Sequence, residues 1–206
     1  MNELTISDSN SGKQVHPYRW GVISGCGLTV ACVTYTLSAF IAPAFRRVCL
    51  PFVPATPVQL DNIAKILLAQ RKSACSSTLG PIVDLGSGDG RVLINLMQRK
   101  DLGFTRGVGV ELNRPLIWYS RWNAYRAGMG RPLLKFRCCD MWKVDLSEFQ
   151  TVVVFGVDSM MGELENKLRQ ELKPNTFVVA SRFPLPSLPC ADSIEAGPDS
   201  VYFYRF

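Results

Sequence analysis

The run Val83-Asp84-Leu85-Gly86-Ser87-Gly88-Asp89-Gly90-Arg91 carries the densest chemical signal in the sequence. Apolar residues that suit a buried strand pass directly into glycines at 86, 88 and 90, where a backbone without side chains can turn sharply and approach a ligand. A dinucleotide loop of the GxGxxG kind would need glycine at 91, where Arg91 stands, and a phosphate-cradling loop would end in GK[ST], which is missing. The GxGxG spacing therefore suits a ligand without a pyrophosphate. Asp84 at the strand end can organise the loop, Ser87 within it, and a bound water or amino group. The next apolar run, Gly107-Val108-Gly109-Val110-Glu111, puts an acid 25 residues beyond Gly86, where a carboxylate can accept both hydroxyls of a ribose. A third run ends in Cys138-Cys139-Asp140, and an acid there can accept an adenine exocyclic amine. Alone the glycine loop is a weak signal; with Glu111 and Asp140 in register it is a specific one.

Three strand ends meet only if their strands lie side by side and parallel. Short apolar runs over 81–85, 106–111, 134–138, 151–156 and 176–181 predict strands, and 91–100, 114–127 and 159–171 carry helical periodicity. This alternation is α/β, a parallel sheet covered by helices on both faces, which binds ligands at the carboxyl ends of its strands. Ahead of it, Thr56-Pro57-Val58-Gln59 reads as an N-cap, a proline at the first helical position and a capping-box glutamine, opening a helix to about Arg71. Segments around 193–196 and 201–206 look like two closing strands. Trp118, Trp122 and Tyr125 at i, i+4 and i+7 predict a helix face packed on the sheet, with Arg114, Arg121, Arg126 and Arg131 on a solvated basic side. A base-stacking stripe with phosphate-binding arginines is the competing reading.

Composition sets the frame for this domain. Of 206 residues, 47% are hydrophobic and 19% charged, but residues 20–45 contain no Asp, Glu, Lys, Arg or His and 17 of those 26 are apolar. A helix of that length reaches ~39 Å against a hydrocarbon core of ~30 Å, so it can span a membrane. Both a polytopic transporter and a purely soluble chain are excluded. The organisation expected is a tail over 1–19, a transmembrane anchor over 20–45, a proline-punctuated connector over 46–56 and a domain over 57–206. Glu3, Asp8, Lys13 and Arg19 cancel in the tail, so the net +6 belongs to residues 46–206, a modest excess that favours anionic partners only weakly. Seven cysteines without a CxxC pair argue against a disulfide framework or zinc site. His16, the only histidine, lies in the tail, which excludes a histidine triad or histidine metal cage in the domain. No metal is expected.

The glycine loop with Glu111 and Asp140 resembles the seven-strand S-adenosylmethionine-dependent methyltransferases. More narrowly, Arg47-Val48-Cys49-Leu50-Pro51-Phe52-Val53-Pro54-Ala55-Thr56, Glu111-Leu112-Asn113, Trp118-Tyr119-Ser120-Arg121, Asp140-Met141-Trp142-Lys143-Val144, Phe155-Gly156-Val157 and Arg182-Phe183-Pro184 are similar to the membrane-anchored mitochondrial lysine methyltransferases. The resemblance covers about residues 46–206 and the plan of one apolar N-terminal segment. It implies a Rossmann-like domain preceded by one transmembrane helix, and S-adenosyl-L-methionine bound by Asp84, Gly86, Ser87, Gly88, Gly90, Glu111 and Asp140 with Trp142 as an adenine-side wall. It also implies a lysine substrate in an integral inner-membrane protein, the ATP synthase c subunit first and the adenine nucleotide translocase second. Membrane lipid would surround the anchor, and the domain would face the matrix. Phe155, Gly156, Val157 and Asp158, then Arg182, Phe183 and Pro184, would form the lysine slot, with Phe155, Asp158 and Phe183 as its catalytic candidates. A free lysine titrates near ~10.4, and burial of its ammonium lowers that value, so desolvation can supply the neutral nucleophile. No Asn/Asp-Pro-Pro-aromatic motif follows strand four, which argues against methylation of amide or base amino groups. Asn113-Arg114-Pro115 stands where the family pattern leads one to expect Asn-Pro. An RNA methyltransferase and a non-catalytic membrane scaffold are the alternatives; intact Gly86, Glu111 and Asp140 count against the scaffold.

Overall fold

A computed structural model of the chain describes residues 17–41, 53–73, 78–130 and 132–206. Most of the expected tail, the connector up to Phe52 and Arg131 therefore lie outside the described residues. The chain divides into two units, Met1–Ser38 and Ala39–Phe206.

The first unit is built on helix α1 (Pro17–Ile41). Its stretch Gly21–Ser38 is long and apolar enough to cross a membrane, and none of it is buried. The hydroxyls that dilute its apolar character turn back onto the helix. Thr29 Oγ1 donates to Gly25 O at 2.9 Å, Thr36 Oγ1 to Cys32 O at 2.8 Å and Ser38 Oγ to Tyr35 O at 2.8 Å. A hydroxyl satisfied in this way is compatible with hydrocarbon surroundings.

The second unit holds β1 (Gly80–Leu85), β2 (Phe104–Glu111), β3 (Leu134–Cys138), β4 (Thr151–Phe155), β5 (Phe177–Ser181), β6 (Asp192–Ile194) and β7 (Val201–Arg205). They form one sheet in the order β3-β2-β1-β4-β5-β7-β6. The first five strands run parallel, and β7 enters antiparallel beside β5 with β6 antiparallel outside it. The helices are α2 (Pro57–Ser73), α3 (Arg91–Gln98), α4 (Arg114–Arg126) and α5 (Asp158–Glu171). Strand side chains alternate between faces. Ile82, Val153 and Val179 pack with residues of α2, α3 and α4, whereas Val83, Val152, Val154 and Val178 pack with α5, Leu146 and Phe149. Two buried faces explain why the central strands read as unbroken apolar runs. Each expected strand and helix is present within a few residues. Short 3-10 turns at Lys100–Leu102, Met141–Lys143 and Gly197–Asp199 had no signature in the sequence pattern.

The reading of α4 is overturned. Trp118, Trp122 and Tyr125 are 61%, 56% and 75% exposed, and the helix instead buries Leu116, Ile117, Ser120 and Ala124. The cause is lack of room beside the glycine loop. A Cβ placed on Gly90 would meet Phe136 Cζ at 2.6 Å and Ser120 Cβ at 3.0 Å. Only small side chains fit an approach that close, so α4 turns its serine and alanine inward and its aromatics outward.

Gly90 also holds φ +80, a left-handed conformation that alanine adopts only under strain. Gly90→Ala should lower stability by about 2–4 kcal/mol, strain and overpacking combined, read as a fall in the urea midpoint at unchanged slope.

Candidate active site

The carboxyl ends of β1, β2, β4 and β5 and the chain just after β3 open onto one cavity of ≈ 790 Å³. It sits where the strand order reverses between β1 and β4, the switch point at which open α/β sheets bind ligands. After β1, Gly86 and Gly88 hold φ +83 and +50, and the Gly86 and Ser87 amides both donate to Val110 O at 2.9 Å. The loop is thus stitched to the end of β2. Glu111 finishes that strand and fixes two backbones at once: Oε2 accepts from Gly88 N–H at 3.1 Å and Oε1 from Asn113 N–H at 2.8 Å. Each oxygen retains acceptor capacity for a ligand.

Asp84 is fully buried, and neither of its carboxyl oxygens has a hydrogen-bond partner among the described residues; nor does the buried Ser87 Oγ. Burial first, and then the charges of Glu111 and Asp89, push the Asp84 carboxyl up to about 8. The neighbouring Asp89 is answered locally. Arg91 Nε donates to its two oxygens at 3.1 and 2.9 Å and Nη2 at 2.6 Å, while Arg91 Nη1 donates to Ala55 O at 3.0 Å. Arg91 therefore latches the residues before α2 against the glycine loop, and Val53, Pro54, Ala55 and Thr56 line the same cavity.

On the β3 side, Asp140 Oδ1 accepts from Trp142 N–H at 3.1 Å and caps the turn Met141–Lys143. Lys167, buried in α5, holds that turn from behind. Its Nζ donates to Trp142 O at 3.1 Å, to Val144 O at 2.8 Å and to the Glu171 carboxylate. Cys139 also lines the cavity, and burial pushes its thiol up in pKa, which keeps it from acting as a thiolate.

Past the ends of β4 and β5, Phe155, Val157, Met160 and Phe183 supply apolar wall. Two polar groups face the cavity with them. Ser181 is fully buried and its Oγ has no partner among the described residues. Asp199 is held by Thr56 Oγ1, which donates to Oδ1 at 2.7 Å, and by Asn62 Nδ2, which donates to its carbonyl at 3.2 Å. Gln59 Nε2 donates to Pro198 O at 3.3 Å. Arg182 lies at φ +76 with its amide donating to Ser200 O at 2.8 Å, a strained backbone of the sort that gathers at functional sites.

Of the residues expected at the site, Asp84, Gly86, Ser87, Gly88, Glu111, Asp140, Trp142, Phe155 and Phe183 come together around the cavity. Gly90 and Asp158 do not line it. Gly90 caps α3 and packs on Phe136; Asp158 is exposed in the first turn of α5. Ser181, Asp199 and Lys167 escaped sequence reasoning, since each is a single residue outside any motif. The Asp89–Arg91 pair was missed as well, although its members stand two residues apart inside the loop, a signal that could have found it.

The family model described as "ANTKMT methyltransferase domain" matches residues 84–192. The ATP synthase c-subunit lysine N-methyltransferase of Rattus norvegicus is 45% identical over 184 residues, 89% of this chain and 78% of that protein. The adenine nucleotide translocase lysine N-methyltransferase of Mus musculus is 37% identical over 186 residues, 88% of this chain and 74% of that protein. Among solved structures, an RNA methyltransferase from Salinibacter ruber in complex with S-adenosyl-L-homocysteine aligns with a TM-score of 0.62 and 28% identity, covering 74% of this chain and 93% of that one.

Asp84 gives the ligand-free protein a particular pH dependence. Unfolded, its carboxyl ionises near 3.8; folded, it holds its proton to about 8. Between those values the folded state binds the extra proton, so stability is present at low pH and is lost as pH rises through the window. Thermal unfolding followed from about pH 5 to about pH 9 should show this fall, and Asp84→Asn should flatten it.

Proposed function

The chain belongs to the ANTKMT methyltransferase family, and on that premise we propose that it methylates a lysine of the ATP synthase c subunit within the mitochondrial inner membrane. It is an S-adenosylmethionine-dependent protein-lysine N-methyltransferase. One observation carries the choice of substrate: identity is higher to the relative named for the c subunit, at 45%, than to the one named for the translocase, at 37%.

The cavity fits the cofactor. A buried carboxyl with two unpartnered oxygens is suited to a ligand that carries positive charge, and the absence of side chains at Gly86 and Gly88 leaves space for it. When bound, S-adenosylmethionine supplies an electrophilic methyl group on a sulfonium. Glu111 would receive the two ribose hydroxyls, Asp140 and Trp142 the adenine, and Asp84 the cationic end. Phe155, Val157, Met160 and Phe183 would exclude water around the incoming lysine, which lowers its pKa and favours the neutral amine. Asp199 would draw the ammonium in, and Ser181 Oγ would accept one of its hydrogens. No separate general base is required: as desolvation lowers its pKa, the ammonium gives its proton to solvent water before the neutral amine enters the apolar slot. Asp158 stays outside this scheme, being exposed and not part of the cavity lining.

Helix α1 supports membrane anchoring, and the family resemblance favours a catalytic domain on the matrix side. A c subunit never leaves the bilayer, so an anchored enzyme meets it by lateral diffusion. The likeness to an RNA methyltransferase structure makes RNA the alternative acceptor worth testing beside protein.

Purified protein incubated with labelled S-adenosylmethionine and separated mitochondrial membrane proteins and RNA should label the c subunit. Glu111→Ala should weaken cofactor binding roughly 100-fold or more and abolish labelling. Asp199→Asn should reduce labelling while leaving cofactor affinity intact. Label on RNA, or equal protein labelling by wild type and Glu111→Ala, would overturn the reading. Deleting residues 20–45 should abolish membrane association and spare cofactor binding; loss of cofactor binding would make that segment part of the catalytic fold.

A further inference from the structure

The outward face of α4 takes no part in the chemistry above. Trp118, Tyr119, Trp122 and Tyr125 are each more than half exposed, and Trp122 and Tyr125 stack with ring centroids 6.1 Å apart. By helical geometry Trp118, Trp122 and Tyr125 form one stripe, bordered by Arg114 and Arg121 on one side and Arg126 on the other. The helix contains no acid. Arg114 and Arg126 make no ion pair among the described residues, and Arg121 Nη2 donates to Phe136 O at 2.9 Å, which holds it at the edge of the stripe. A soluble surface does not ordinarily gather four large exposed aromatics on one short helix.

We propose that this face docks onto the headgroup layer of an anionic bilayer. Tryptophan and tyrosine favour that layer because one part of each ring system is apolar and another donates hydrogen bonds to water or headgroups. Flanking arginines bind lipid phosphate with charge-assisted hydrogen bonds, and each basic residue near an anionic surface adds to the attraction. Charge complementarity therefore selects an anionic lipid surface as the occupant. Bases stacking from RNA fit less well, since Trp122 and Tyr125 already stack on each other and the stripe follows the outside of a helix rather than a groove. The proposal rests on the membrane anchoring proposed above and adds a second point of contact. Leu116 in the first turn of α4 and Asn113 just before it line the cavity, so a docked α4 sets the height and tilt of the active site relative to the bilayer.

The test uses the full chain in detergent, in phosphatidylcholine nanodiscs and in nanodiscs of phosphatidylcholine mixed with phosphatidylglycerol. Amide exchange over residues 114–126 should slow several-fold in the mixed nanodiscs, less in the neutral ones and not in detergent. A Trp118→Ser/Trp122→Ser/Tyr125→Ser variant alters only exposed side chains; it should keep cofactor binding and nanodisc insertion yet lose the protection. An inserted chain whose α4 exchanges equally in all three settings overturns the docking proposal and leaves anchoring intact. Failure of the chain to insert overturns both. Protection produced in detergent by added RNA or protein substrate, with none from lipid, overturns docking in favour of a different partner.

Discussion

The site is organised around a buried carboxyl that no described residue partners. A buried carboxylate without a partner is costly enough that it keeps its proton instead, and Asp84 does so. Among the described residues none gives it a partner. Arg91, the cation nearest in sequence, is committed to Asp89; the Glu111 oxygens take backbone amides from Gly88 and Asn113. A cation arriving from outside is what would let the carboxyl ionise. Ligand entry and proton release are therefore linked, and neutral ligands of similar shape lack the interaction that would displace the proton.

Tension between rigidity and access is resolved by tethers drawn from distant parts of the chain. Arg91 ties the glycine loop to Ala55, Lys167 fixes the turn that carries Trp142, and Thr56 with Asn62 holds the turn at Asp199. The first two tethers act on backbone carbonyls, whereas Thr56 holds the cavity-facing Asp199 carboxylate itself. The cavity wall is consequently set in part by residues such as Lys167 and Asn62, which do not line it.

Much of this was legible in the sequence because it rests on local rules. The glycine loop, the acids ending β2 and β3, and the two-sided burial of the strands follow from spacing and hydrophobic runs. The α4 aromatics show where that kind of inference fails: their spacing was periodic, but the clearance between Ser120 and Gly90 is a tertiary fact, and it inverted the face of the helix. Ser181 and Asp199 were hidden for a related reason. Neither belongs to a motif, and their placement depends on β7 inserting antiparallel beside β5 and on contacts spanning 143 residues between Thr56 and Asp199.

That last span has a kinetic meaning. The proposed cofactor cradle is assembled from neighbouring strands and turns within residues 84–142, whereas the proposed lysine-side wall closes only when α2 meets the turn Gly197–Asp199. Loop closure over so long a separation is slow relative to pairing of adjacent βα units. During folding the cradle can therefore mature before the acceptor side exists, giving a chain able to hold its methyl donor before it can reach an acceptor.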